Sequence, residues 1–412
     1  MGFFLNGAAW LRADFHLHTK ADKEFNYLGD ENLYYSAYVD ALTKTEIRVG
    51  AVTNHNKFDF EEFKALRKTA KNQDIFLLPG VGLSVNDGIN GVHVLVIFSD
   101  EWLENGNDRI STFITSMFPG KAVVEYQNEN GRSDKNILQT VEELEKTGRG
   151  YFLVFAHVEN PKGLWQETGG GKIQDWCDKR YQLVKERTLG FQKVRTWDDR
   201  EKVKHWLGDW YPAEVEGSDP KRIDQIGQGE PCYLKLGAFN FEAVKFTLID
   251  HKNRLRLENA PKYTHSHIKR VSFEGGTLAG QTIQFSPELN TLIGIRGSGK
   301  SSILESLRYI LGNQLEENDS EYKYKQRLLE HTFGSGGKVV LDAVDRHGQT
   351  YQIRRILKEN ANVYIDDKLQ PGISIRETVL YKPLFFGQKE IAKEAARGTQ
   401  RFKVSLKSTG IS

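Results

Sequence analysis

The sequence predicts an α/β protein in two parts: repeated βα units around a parallel sheet or barrel, then a unit built on a phosphate-binding loop. Three observations carry that prediction. Residues 1–158 alternate short apolar runs of β type with helical stretches, the rhythm of βα units. A polar stretch, DHKNRLRLENAPKYTHSH at 250–267, interrupts it. Beyond that, an apolar run leads into GIRGSGKS at 294–301 and an amphipathic helix. The expected domains are 1–250 and 268–412, with a linker over 251–267.

Length and composition agree with this division. At 412 residues the chain fits two or three units of about 150 residues each. Hydrophobic residues at 39% and charged residues at 27% exclude wholesale disorder and a membrane-embedded protein. A formal charge of +2 argues against nucleic-acid binding through a global field. Any basic patch is local, as at 389–412, where six Lys or Arg face two Glu. Cys177 and Cys232, with no CxxC, support neither a disulfide framework nor a thiolate metal site and fit a reducing cytoplasm. The opening MGFFLNGAAWL is uncharged but too short to span a bilayer and lacks a basic n-region. Asn6 stands where a myristoylation pattern needs Ser or Thr, so neither a targeting segment nor membrane association is expected.

In the first part, strands are expected at ADFHLHT, VGAVTNH, IFLLPGVGLSV, GVHVLVIF and YFLVFAHV, with helices near 32–46, 59–72 and 137–148. Functional side chains of such folds gather where strands run into loops. Residues 160–215 are less legible: ETGGGK reads as a flexible loop. Trp165, Trp176, Trp197, Trp206 and Trp210 read as core rather than as a base-stacking surface. In the second part, strands are expected at IKRVSFEGG and through QTIQFSPELNTLIGI, then a helix at ILESLRYILG. A hairpin follows in KVVLDAVDRHGQTYQIRRIL around His347-Gly348.

The loop GIRGSGKS makes the second part a candidate ATP and Mg²⁺ site. Gly294, Gly297, Ser298 and Gly299 let backbone N–H groups curl around phosphates at a helix N-terminus; Lys300 adds a point charge, Ser301 a hydroxyl for Mg²⁺, and Ser302 completes the first turn. The strand-first layout and LFFGQKEI resemble the N-terminal lobe of SMC-like ABC-type ATPases, in which a Gln after the P-loop helps hold Mg²⁺ and the attacking water; Gln388 matches it. Arg296 stands where many SMC-like loops carry Asn. The signature motif and carboxylate-ended strand that should follow the Gln are absent. FGSGGK at 333–338 and VVLD at 339–342 imitate them but precede Gln388. A second ATPase half or a homodimer is therefore expected to be needed for hydrolysis.

DFHLHT at 14–19 carries the other constellation. Residues i and i+2 of a strand share a face, so His16 and His18 can converge on one metal. A second such pair, His265 and His267, lies in the polar stretch, so the spacing alone is not diagnostic. The company of the first pair sets it apart: His55, His93, His157 and Asp219 each stand near a strand terminus. Imidazole and carboxylate ligands suit Zn²⁺, Mn²⁺ or Fe²⁺, whose bound water ionises near neutral pH and hydrolyses phosphate esters.

DFHLHT, VTNH, LLPGVGLSV, GVHVLVIF, FAH and EGSDP, in this order over about 10–225, resemble the PHP (polymerase and histidinol phosphatase) domain, a distorted βα barrel with a cluster of up to three metals. The resemblance implies His16, His18, His55, His93, His157 and Asp219 as metal ligands, with Asp219 and His157 in catalysis. Coupled to an SMC-like ATPase, the chain resembles the TrlF-type family. That implies a nuclease on RNA, tRNA among them, or on DNA, gated by ATP binding and serving in phage defence. Two positions depart from the family. Gly82 replaces a bridging Glu, and Lys221 replaces a final His. Without the bridging carboxylate a second nearby cation is poorly compensated. Asp22, Glu24 or Asp87 could substitute for it, or one metal could remain on His16, His18 and Asp219. Two further readings stay open: a metal-poor barrel acting as an assembly module for the ATPase, and a small-molecule phosphatase.

Overall fold

The structure, a computed structural model, describes residues 2–127, 131–168, 171–313, 322–381 and 383. The chain divides into a unit running from Ala8 to Pro261 and a second starting at Lys262. Among the described residues no helix is long and apolar enough to cross a membrane.

The first unit is built on β1 (Ala9–Leu17), β2 (Ile47–Val52), β3 (Phe76–Val85), β4 (Val92–Phe98), β5 (Tyr151–Phe155), β6 (Thr188–Gln192), β7 (Ala213–Val215), β8 (Cys232–Leu236) and β9 (Leu255–Leu257). They form one sheet in the order β7-β6-β5-β4-β3-β2-β1-β8-β9. Most of its strands are apolar on both faces, as strands covered on both sides must be. One face packs into a core that draws on β1 to β8 and is plugged by Phe241, Val244 and Leu248 of the helix Phe241–Ile249. The other face packs against helices Tyr34–Lys44, Phe60–Lys71, Arg109–Met117 and Ile137–Glu145. Local signals fix these helices. Asp59 caps Phe60–Lys71 by accepting from Glu62 N, and Asn136 with Gln139 makes a capping box on Ile137–Glu145.

The sheet curls until its ends nearly meet. β8 pairs with Ala9–Ala13, the first half of β1. The chain leaving β7 takes the same edge further along: Phe15 N donates to Glu216 O at 3.5 Å, and Asp219 N to His16 O at 2.9 Å. Ser218 N adds a bond to Asp14 Oδ2 at 3.0 Å. Gly217 makes this seam possible, because a Cβ there would stand 2.7 Å from His16 Cβ and 2.4 Å from Gln192 Nε2.

Three expectations need correction here. The sheet is mixed rather than parallel: β4 runs antiparallel to β3 and β5. The short connection over 86–91 allows a hairpin and is too short for a crossover helix. The expected linker begins too early, because His251–Arg254 is a helix and β9 pairs with β8, both inside the first unit. The five tryptophans are not all core. Trp165 and Trp176 are buried, but Trp197 is 67% exposed and Trp210 is exposed as well. Helix Trp197–Leu207 is too polar to bury more than one side.

The second unit holds an antiparallel sheet of β10 (His267–Glu274), β11 (Thr282–Gln284), β12 (Lys338–Val344), β13 (Thr350–Ile356), β14 (Asn362–Ile365) and β15 (Lys368–Leu369), in the order β11-β10-β12-β13-β14-β15. The hairpin around His347-Gly348 is β12–β13. Leu307 and Ile310 of helix Lys300–Ile310 and Phe333 of helix Tyr322–Phe333 pack on it. The apolar run NTLIGI, expected as a strand, pairs with none among the described residues, and Ile293 is 90% exposed. Its last carbonyls are met from within the loop instead, Gly294 O and Ile295 O accepting from Lys300 Nζ and Ile295 O also from Ser298 N.

Gly217→Ala should overpack the seam and destabilise the protein by about 1–3 kcal/mol. A lowered urea midpoint with unchanged slope checks it; an unchanged midpoint would remove Gly217 from the closure.

Candidate metal centre

The histidines meet because four connections deliver them to one rim of the barrel. His16 lies in β1 and His18 just past it. Between Asp14 and Leu17 the pairing of β1 with β2 shifts register. Phe15 packs into the inner core and Leu17 under the outer helices, so the alternation slips there and both imidazoles turn inward. Their centroids are 4.9 Å apart. His55 follows β2, where the chain continues along β3 through bonds between Gly82 and the backbones of Asn54 and Asn56. His157 follows β5 and Asp219 follows β7, both at positive φ, 29° and 52°. His93 opens β4, and the reversal of that strand brings its first residues to the rim where the parallel strands end. His93 is 4.6 Å from His55, 5.1 Å from His16 and 5.2 Å from His157, ring centre to ring centre. Asp219 Oδ1 lies 3.0 Å from His18 Nε2 and 3.8 Å from His16 Nε2. All six expected residues therefore share one cluster.

The protonation pattern suits a cation. His18 Nδ1 bonds to Asp22 Oδ2 at 2.7 Å, which makes Nδ1 the donor and leaves Nε2 with its lone pair. Gln192 does the same for His16. Its Oε1 accepts from the His157 backbone N at 3.2 Å, so that atom is the oxygen and the His16 Nδ1 beside it, at 3.1 Å, must donate. Tyr38 Oη donates to His18 O and fixes the strand end. Buried polar atoms are normally hydrogen-bonded. Here His16 Nε2, His18 Nε2, His55 Nδ1, His93 Nε2 and His157 Nδ1 are buried with no hydrogen-bond partner. That is the donor set a transition-metal ion satisfies. Ligand atoms of His16, His18 and Asp219 lie within 4.8 Å of one another, as do those of His18, Asp22 and His55.

For four of the five rings the electrostatics agree. Burial pushes the pKa of His16 and His93 well below the usual imidazole range and lowers His55 and His157 too, so their lone pairs are free at neutral pH. Burial also opposes charge on His18, but Asp219 and Asp22 outweigh it and hold its pKa up. Against its own burial, Asp219 is held far below the usual carboxylate range by His16, His18 and Lys221.

Of the three substitute carboxylates considered, Asp22 is in the cluster and Glu24 pairs with Lys221 at its edge. Asp87 instead accepts from Ile137 N at a helix start. Gly82 faces the cluster: a Cβ would stand 2.7 Å from His93 Nε2, so this imidazole occupies the space a bridging side chain would use. Lys221 Nζ lies 3.0 Å from Asp219 Oδ1. Gln192 went unread in the sequence because β6 is only five residues long and shows no alternation ahead of it.

At the phosphate loop, Gly299 caps helix Lys300–Ile310 in the left-handed region. Lys300 Nζ donates to Gly294 O at 2.6 Å and Ile295 O at 2.8 Å, folded over the loop carbonyls. Ser298 Oγ is 3.3 Å from the same ammonium, and Ser301 and Ser302 lie in the first turn. Gln388 and the basic stretch 389–412 lie outside the described residues.

Residues 268–409 match the family model described as an AAA domain. No curated protein matches the chain. Solved structures similar to it include PsfC from Pseudomonas syringae PB-5123, at 14% identity over 58% of this chain and 88% of its own, TM-score 0.35. A Bifidobacterium adolescentis protein described as a metal-dependent phosphoesterase shares 13% identity over 57% and 95%, TM-score 0.35. An amidohydrolase from Chromobacterium violaceum shares 16% over 52% and 90%, TM-score 0.33.

Gln192→Leu and Asp22→Asn should each weaken Zn²⁺ binding about 10–100-fold by freeing the ligand rings to turn. Titration calorimetry reads this, and an unchanged affinity in both variants would contradict the assigned tautomers.

Proposed function

We propose that the first unit is a metal-dependent phosphoesterase of PHP type, and within that class a nuclease cutting RNA, tRNA among them, or DNA. The observation that carries it is the set of buried imidazole nitrogens without hydrogen-bond partners, gathered beside Asp219 at the loop end of the barrel. His16, His18 and Asp219 would hold the ion, with His55, His93 and His157 completing the cluster. A divalent ion bound there lowers the pKa of water to about 7 and polarises a phosphoryl oxygen.

The chain's own residues supply the rest. Asp22 and Gln192 keep two ring nitrogens aimed inward, and the nearby apolar core keeps bulk water from one side of the cluster. Lys221, its side chain 38% exposed, offers a positive charge to an incoming phosphate. Asp219 and His157 take the catalytic places in this reading, Asp219 at the ion and His157 beside it, less buried than His16 or His93 and in a rare backbone conformation.

The AAA-domain match to the second unit supports a nucleotide-binding partner for the barrel. In this reading ATP and Mg²⁺ bind through Gly294, Gly297, Ser298, Gly299, Lys300, Ser301 and Ser302 with Gln388. Closure with a second ATPase half or a second copy gates cleavage, in the cytoplasm and in phage defence.

Assays of the full chain on tRNA and single-stranded DNA, with Mn²⁺ or with chelator, test the proposal. Cleavage should need the metal and fall at least about 100-fold in His16→Ala plus His18→Ala. Cleavage unchanged by that double substitution removes the barrel from the chemistry. Faster turnover of a nucleotide monoester than of an oligonucleotide would make the enzyme a small-molecule phosphatase instead.

A further inference from the structure

The edge of the metal cluster holds a cation of the protein's own. Lys221 Nζ lies 3.0 Å from Asp219 Oδ1 and also pairs with Glu24 Oε2. Its backbone is pinned on both sides, with Lys221 N donating to Gln225 Oε1 at 2.7 Å and Lys221 O accepting from Asn26 N at 2.8 Å. The ammonium is thus a fixed part of the site rather than a mobile surface group.

We infer that the Lys221 ammonium stands in for a second metal ion, so that the barrel holds a single divalent cation on His16, His18 and Asp219. The inference rests on the metal reading above and adds its stoichiometry. Two observations carry it. The first is the charge of the pocket. Among the described residues, Asp22, Glu24 and Asp219 are the carboxylates that reach the cluster. The nearby acids are committed elsewhere: Asp14 to Ser218 and the His16 amide, Glu216 to Arg195, Glu62 to Thr19 and the Ala21 amide. One divalent ion together with Lys221 balances those three carboxylates. A further divalent ion would leave two uncompensated positive charges among buried imidazoles, an arrangement that low-polarity surroundings strongly oppose.

The second observation is the state of the other candidate ligand set, His18, Asp22 and His55. Asp22 Oδ2 is already engaged there, accepting from His18 Nδ1 at 2.7 Å and from the His55 backbone N at 2.6 Å. An ion at that place would have to break the bond that aims His18 at the first site. Gly82 adds no carboxylate to replace it.

The test is metal stoichiometry in the full chain, read by mass spectrometry after Mn²⁺ loading and gel filtration, with the paramagnetic resonance spectrum of the bound Mn²⁺ alongside. The wild type should carry one ion per chain with the six-line spectrum of an isolated centre. Lys221→His should carry two with a spin-coupled spectrum. Lys221→Gln, of similar length without the charge, should also gain a second, weaker ion if the histidine variant fails to fold. Two ions in the wild type would overturn the inference and leave the metal reading standing. One ion in correctly folded variants would overturn it too. No ion in the wild type would overturn the metal reading itself, and the inference with it.

Discussion

Asp219 can face His16 and His18 because the chain leaving β7 bonds to the far half of β1, while β8 takes the near half. That shared edge decides everything downstream. It closes the strands into a near-ring and brings residues some two hundred positions apart to one rim. It also leaves room for only a glycine at 217. Strand edges are costly to leave open; here the edge is satisfied by the same segment that carries the acid.

The cluster is expensive to hold without a ligand. Each buried ring nitrogen that lacks a hydrogen bond costs on the order of 1–3 kcal/mol, and five such nitrogens meet in this pocket. Elsewhere the first unit satisfies many of its buried groups, although Trp10 Nε1, Thr53 Oγ1, Glu62 Oε1 and Trp165 Nε1 also lack partners. Glu62 serves Thr19 and the Ala21 amide, Asn54 serves the Thr19 amide, and Asn56 serves two loop carbonyls and β3. Five bare imidazole nitrogens gathered in one cluster, rather than any single unpartnered atom, are arranged for something that binds them, which is the physical content of the functional reading.

Much of the first unit was legible because its strands are long apolar runs and its helices carry caps. The histidines stood out because strand ends are where such folds place chemistry. What failed has specific causes. The direction of β4 is written in the length of its connection to β3, not in its own residues. β6 and β7 are too short to show a period, so Gln192 went unread. Trp197 stands on a helix whose polar residues keep one side in water, and Trp210 lies exposed in the turn that follows it. NTLIGI has the composition of a buried strand, but a strand exists only beside another. Lys221 looked like the loss of a ligand; its ion pairs with Asp219 and Glu24 show it as a charge in its own right.

The central claim is that a metal ion sits between His16 Nε2, His18 Nε2 and Asp219. Anomalous diffraction from crystals grown with Zn²⁺ tests it most directly. The account requires a peak about 2.0–2.2 Å from both ring nitrogens and from a carboxylate oxygen of Asp219. A cluster free of anomalous density under saturating Zn²⁺, with the imidazoles hydrogen-bonded to water instead, would contradict it.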